Sequence, residues 1–204
     1  MFSAAFPGND YWNKTNVKKA IAAYVRSLTA LNSRFDKYMR GDKQAMNPQE
    51  VRGFNTYMGK AKCGTCHYVP LFNGAVPPLY DKIESEVLGV PATKDTINAK
   101  VDADLGKYNL YLMPHQRNSF KTATLRNIAL TAPYMHNGVY TTLEEVIDFY
   151  NKGGGAGLGY ELPNQTLSPD KLDLTEIEKK DLIAFLHTLT DTVVTQKVFV
   201  GARK

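Results

Sequence analysis

Cys63-Gly64-Thr65-Cys66-His67 is the stretch from which the reading of this 204-residue chain proceeds. Two thiols separated by two residues and followed at once by an imidazole form the attachment pattern of a c-type haem. Each sulfur adds to one porphyrin vinyl group. The next side chain, His67, is carried beneath the ring, where its nitrogen binds iron as the proximal ligand. The plainer readings lack parts. A zinc site takes about four nitrogen or sulfur ligands, whereas Cys63 and Cys66 are the only cysteines and His115, His136 and His187 form no second paired motif. A redox dithiol needs a βαβ setting around its Cys-x-x-Cys, and the flanking sequence offers none.

Composition sets the bounds. At 204 residues, 43% hydrophobic and 22% charged, the chain holds one well-cored domain with at most an extra helical segment. No apolar run reaches the length of a membrane span. The net charge of +5 favours acidic partner surfaces, but the lysines are dispersed and no basic block is interleaved with aromatics, so nucleic acid is not an expected partner. Haem attachment of this kind takes place outside the cytoplasm, which predicts a periplasmic, exported protein. Met1–Pro7 lacks the basic and apolar regions of a signal peptide, so the expectation is a removed signal or a fragment.

Along the chain, residues 1–13 read as an irregular lead-in with a turn at Pro7-Gly8-Asn9-Asp10. Thr15 or Asn16 caps a helix to about Leu31, with Val17, Ala20, Ile21, Tyr24, Val25, Leu28 and Leu31 at helical spacing. A short helix starts at Ser33, turns Phe35 and Tyr38 inward and stops at Gly41. Asn47-Pro48-Gln49-Glu50 combines a cap, a proline at the first helical position and a box partner. That helix carries Val51, Phe54, Tyr57 and Met58 and delivers the haem motif at its C-terminal end. From Tyr68 to Phe120, frequent prolines predict a long irregular wrap, acceptable in a compact domain only where it serves a site. Thr141 and Thr142 offer overlapping capping boxes for a helix that buries Leu143, Val146, Ile147 and Tyr150 and stops in a flexible turn at Gly153-Gly154-Gly155. A last helix starts at Thr175 with Glu178 as box partner and buries Leu182, Phe185, Leu186 and Leu189. No strand pattern persists, and the fold class expected is all-α.

With the motif placed, longer segments become recognisable. Phe120-Lys121-Thr122-Ala123-Thr124-Leu125-Arg126-Asn127-Ile128-Ala129-Leu130-Thr131-Ala132-Pro133-Tyr134-Met135-His136-Asn137-Gly138 closely resembles a stretch typical of bacterial dihaem cytochrome c peroxidases and their MauG-like relatives. So does Thr142-Leu143-Glu144-Glu145-Val146-Ile147-Asp148-Phe149-Tyr150. Ala20–Leu28, with Ser33-Arg34-Phe35-Asp36 and Gly41-Asp42, is similar to the helix preceding the second haem domain of that family.

The resemblance implies a C-terminal, cytochrome c-like haem domain with long irregular loops over residues 46–204, preceded by an inter-domain helical segment over residues 1–45. The N-terminal domain, which in the family houses the peroxide-reactive haem, has no counterpart in the chain. The function implied is electron transfer to or from that missing haem within a periplasmic peroxidase or MauG-like oxidoreductase, with this fragment inactive alone. The alternative is a stand-alone monohaem electron carrier. Partners implied are the missing domain, a small redox protein or quinol as donor, and a second copy in a homodimer.

For the distal iron ligand, spacing leaves Met113, Met135, Tyr150 and the free histidines open. The resemblance selects Tyr150, because the position that holds methionine in the peroxidases holds tyrosine in the MauG-like branch; Met135 is the runner-up. Phenolate is a hard anionic donor, so a low reduction potential is expected relative to Met/His ligation. The resemblance further places His136 near the peroxidatic haem as the tentative catalytic residue. It assigns backbone carbonyls at Thr131 and Pro133 to a calcium site shared between domains. Arg126 and Arg26 are candidate partners for haem propionates. His115 and His187 are read as surface or packing residues.

Overall fold

Four helix starts are written by the same device. At Ser33/Asp36, Asn47/Glu50, Thr142/Glu145 and Thr175/Glu178, the cap side chain accepts from the backbone N–H three residues on and the acid returns to the cap's N–H. In this computed structural model, which describes residues 2–8, 10–28, 30–95 and 99–191, they open α3 (Arg34–Met39), α4 (Pro48–Met58), α6 (Leu143–Asn151) and α8 (Glu176–His187). Short helices α1 (Phe2–Ala5), α5 (Tyr108–Tyr111) and α7 (Gly154–Gly157) and the longer α2 (Lys14–Ser27) complete the helical set. The chain divides into two units, residues up to Asn32 together with Asp191, and Ser33–Thr190.

In the first unit, α2 is capped by Asn13, whose side chain accepts from Asn16 N–H at 2.9 Å, earlier than the Thr15 or Asn16 start expected. None of its residues is buried, and Ile21, Tyr24 and Val25 are all more than half exposed. Asn9 of the predicted turn lies outside the described residues.

The second unit is organised by α4 against α8. They meet at Gly53, where a Cβ would stand 1.9 Å from the Asp181 carbonyl oxygen, so only glycine permits the approach. Around the crossing, Phe35, Phe54, Tyr57, Phe72 and Phe185 form one aromatic cluster; Phe35 meets Phe72 edge-on at 5.0 Å and Tyr57 lies 5.2 Å from Phe185. Such pairs contribute about 0.5–1.5 kcal/mol each beyond their area burial. Met58, at the end of α4, is half exposed.

The all-α expectation is corrected. Helices hold only about 39% of the described residues, and two strands, β1 (Ser85–Val87) and β2 (Ser119–Lys121), pair antiparallel with Glu86 opposite Phe120. Two causes combine. The long connection between α4 and α6 is broken by Pro70, Pro77, Pro78, Pro91, Pro114 and Pro133, which cannot continue a helix. It also turns through left-handed backbone at Phe72, Tyr80, Leu112, Asn118, Asn127 and Met135. Strands of three residues are too short to display alternation, which is why no strand pattern was legible. The glycines after α6, expected as a flexible turn, instead form the one-turn α7 with Gly154 and Gly155 buried.

Candidate haem site

The Cys63–His67 pentapeptide sits on the end of α4. After Gly59 the chain passes through left-handed backbone at Lys62 into a 3-10 turn over Cys63–Thr65. The N–H groups of Cys66 and His67 both return to the Cys63 carbonyl, at 3.3 and 3.0 Å. Gly64 lies against α4: a Cβ there would meet Met58 Sδ at 2.8 Å. Tyr57, fully buried, donates its hydroxyl to the His67 carbonyl at 2.7 Å, tying the motif to the helix beneath it.

The two cysteines are free thiols. Burial pushes Cys63 up to about 12. Cys66 is also raised, by burial first and then by the Glu86 and Glu84 carboxylates. Both are therefore thiols at neutral pH, the opposite of the depressed pKa that marks a disulfide-exchange cysteine.

His67 has one defined tautomer. Its Nδ1 lies 3.0 Å from the Ala123 carbonyl and 3.3 Å from that of Phe72. Carbonyl oxygens only accept, so Nδ1 carries the hydrogen and Nε2 keeps its lone pair. Burial holds the imidazole below its usual pKa, against the opposing pull of the two carbonyls. A neutral imidazole with Nδ1–H bonded to a backbone carbonyl is the second-shell arrangement that orients a metal-binding histidine.

Tyr150 reaches the same place from the last turn of α6. Burial is the main cause that raises its pKa, followed by the charges of Cys63, Cys66 and Glu86, so the phenol lies within electrostatic range of both cysteines. A packing tyrosine of this kind gives its hydroxyl to a backbone acceptor. Tyr134 does so, to the Ile128 carbonyl at 3.1 Å, but the Tyr150 hydroxyl makes no hydrogen bond to any described residue. Cys63, Cys66 and His67 share one turn, with Tyr150 within electrostatic range of both cysteines: two sulfurs, one unshared imidazole nitrogen and one phenol. That donor set fits a covalently held, axially ligated haem.

Of the other expected residues, Arg126 and His136 are engaged by neighbouring side chains. Arg126 is buried and forks onto Asp36, Nη1 to Oδ2 at 2.6 Å and Nη2 to Oδ1 at 2.8 Å, and also donates to the Pro70 carbonyl. Burial raises the Asp36 carboxyl, but Arg126 and Ser33 together bring it below its usual range. His136 stacks on Phe120 at 3.6 Å and meets Asp102 at 3.2 Å. Thr131 and Pro133 are exposed, and Met135 sits in left-handed backbone on the Tyr134–Tyr140 turn. Among the described residues no three His, Cys, Asp or Glu side chains cluster as a metal site. Sequence reasoning missed Tyr57 and Glu86 as neighbours of the motif, and the Ala123 and Phe72 carbonyls; only Asp36 carried a signal, as the box partner of Ser33.

Comparison with known proteins gives the class. The di-haem cytochrome c peroxidase family profile matches residues 1–44. Over 201 residues, 91% of the chain, it is 36% identical to the cytochrome-c peroxidase IdrP1 of Denitromonas iodatirespirans, covering 52% of that protein. It is 31% identical to the methylamine utilization protein MauG of Methylorubrum extorquens, covering 93% of this chain and 48% of that one. The crystal structure of a MauG-like protein associated with microbial copper homeostasis superposes with a TM-score of 0.71 at 32% identity, covering 95% of this chain and 58% of that chain. The chain belongs to the dihaem cytochrome c peroxidase/MauG-like family, a family of haem oxidoreductases. It spans about half the length of the curated relatives it matches. No helix among the described residues is long and apolar enough to cross a membrane.

Proposed function

We propose that this chain is the electron-transfer haem domain of a periplasmic dihaem cytochrome c peroxidase or MauG-like oxidoreductase, exchanging electrons with a peroxide-reactive haem in an N-terminal domain. Residues 1–45 serve as the connecting helical segment and residues 46 onward carry the haem. Cys63 and Cys66 would hold it through thioether bonds, each S–H adding across a vinyl double bond to give one S–C and one C–H bond without net redox change. His67 Nε2 and the Tyr150 oxygen would bind its iron. The group supplies a one-electron ferric/ferrous couple, which anionic ligation moves to low potential. A small redox protein or a quinol is the donor.

The observation that carries this reading is a tautomer-locked His67 on the same turn as two neutral thiols: its Nδ1 is committed to backbone carbonyls and its Nε2 keeps a lone pair. Attachment leaves both sulfurs neutral, as the thiols already are at neutral pH, so burial and the Glu86 carboxylate are what oppose ionisation of the phenol. Arg126, committed to Asp36, is assigned no propionate role, while the exposed backbone at Thr131 and Pro133 is where a calcium shared with the N-terminal domain would bind.

The test is haem stoichiometry and ligation on protein matured during export. Intact mass with pyridine haemochrome quantification gives one covalent haem for these 204 residues, and Tyr150→Phe converts the ferric spectrum from six-coordinate to open. A bare polypeptide mass ends the haem assignment. An unchanged ferric spectrum in Tyr150→Phe removes tyrosine from the iron. Rapid peroxide turnover by this domain alone contradicts an iron closed by two protein ligands.

A further inference from the structure

Residues 123–126 run antiparallel beside residues 70–74 and take the carbonyls of the loop that follows the motif one after another. Arg126 donates to the Pro70 carbonyl through Nη2 at 2.6 Å and Nε at 3.2 Å. The Thr124 hydroxyl donates to the Leu71 carbonyl at 2.7 Å. Leu125 N–H donates to the Phe72 carbonyl at 2.9 Å, and Gly74 N–H returns to the Thr122 carbonyl at 3.2 Å. The one carbonyl of this segment that turns toward the motif is that of Ala123, and it receives His67 Nδ1–H. The same Thr124 oxygen also accepts Arg126 N–H at 3.1 Å, so the hydroxyl is a donor to one strand of the ladder and an acceptor within the other.

We propose that Thr124 and Arg126 are positioning residues for the axial imidazole: they fix the two backbone carbonyls, Ala123 and Phe72, that hold His67 Nδ1–H and thereby set its orientation and its donor strength. This rests on His67 as iron ligand. A threonine is needed at 124 because the position uses both functions of a hydroxyl. An arginine is needed at 126 because one guanidinium forks onto Asp36 while reaching Pro70. The effect on iron passes through the hydrogen bond, since a firmly held Nδ1–H makes the imidazole a more basic ligand. Thr124 itself is solvent-exposed, so its removal is not a core lesion, and a merely structural role there predicts almost no consequence.

The experiment compares wild-type protein, Thr124→Val and Thr124→Ser, all matured with haem and each quantified by pyridine haemochrome. Two readouts are the ferric electron paramagnetic resonance g-values, which report the plane of the axial imidazole, and the midpoint potential. Thr124→Val is expected to change the g-anisotropy and shift the potential upward with haem content and melting temperature near wild type; Thr124→Ser restores both. Arg126→Lys, which keeps the charge and loses the fork, shifts the potential in the same direction. Haem-loaded Thr124→Val with wild-type g-values and potential overturns the proposal while leaving haem ligation intact. Absence of haem from the wild type instead overturns the reading beneath it. A loss of melting temperature in Thr124→Val with unchanged g-values reduces Thr124 to a structural role and also overturns it.

Discussion

Replacing Asp36 by alanine tests whether the Arg126 ion pair holds the second unit together. The pair is dry: the two side chains are 6% and 9% exposed, and both guanidinium nitrogens lie within 2.8 Å of the carboxylate. Asp36 also accepts from the Ser33 N–H and hydroxyl, at 2.9 and 2.7 Å, so the same carboxylate closes the box that starts α3. Asp36→Ala strips the buried guanidinium of its counter-charge, a lesion that costs about 3–5 kcal/mol, and it removes a cap element whose loss costs about 1 kcal/mol more. With a urea slope of roughly 2 kcal/mol per molar, the midpoint falls by about 2–3 M.

The sign with pH follows from the lowered Asp36 pKa. A depressed carboxyl contributes above its unfolded value near 3.9 and loses that contribution as pH falls through the folded value. The gap between wild type and Asp36→Ala should therefore be full at pH 7 and narrow below about pH 4. Urea titrations of wild type, Asp36→Ala and the double variant Asp36→Leu/Arg126→Met decide the matter, because an apolar pair of similar volume recovers much of the loss. A midpoint shift below about 0.5 M for the single variant, or a double variant no better than the single, refutes the assignment.

Tyr150→Met exchanges an anionic oxygen for a neutral thioether, so spectroelectrochemistry should find a higher midpoint potential; an unchanged value excludes Tyr150 as ligand. Gly53→Ala places a methyl 1.9 Å from the Asp181 carbonyl oxygen; the melting temperature should fall by the equivalent of at least the roughly 1–3 kcal/mol usual for overpacking. Glu145 is held near 2 by Lys94 first and by the Thr141 and Thr142 N–H groups. Its contribution is present above the unfolded value near 4.3 and lost as pH falls toward 2, so Glu145→Gln should flatten the acid limb of stability between about pH 4.5 and 2.

What could be read from the sequence divides along a physical line. Helix starts were legible because a cap needs particular side chains at fixed separation: Asn47 with Glu50, Thr142 with Glu145 and Thr175 with Glu178 all open helices where the spacing places them. The start of α2 was misplaced by two to three residues because Asn13 is followed by Lys14, with no apolar residue to announce the helix. The β1–β2 pair was missed because three residues carry no period, and its partners are separated by more than thirty positions. At the site, Cys63, Cys66 and His67 were nameable because thiol and imidazole at fixed spacing are side-chain chemistry, whereas Tyr150 was singled out only by the family resemblance. The acceptors of His67 Nδ1–H are the main-chain oxygens of Phe72 and Ala123, and a main-chain oxygen has no residue signature.

The same division shows in Phe120–Gly138, one of the least regular segments of the second unit. Phe120–Gly138 contains the end of one short strand and one 3-10 turn, yet it supplies the Ala123 carbonyl, the Thr124 hydroxyl, the Leu125 N–H and the Arg126 guanidinium to the loop that follows the haem motif. A helix spends its N–H and C=O groups on itself. A segment that must offer successive backbone and side-chain groups to a neighbour has to leave that state, and its identity is then fixed by which atoms it offers. An arginine that reaches Pro70 while forking onto Asp36, and a hydroxyl that both donates and accepts, leave few substitutes. The irregularity around this site is thus a consequence of its work: the chain between α4 and α6 forgoes its own ladder so that the imidazole can be held by someone else's carbonyls.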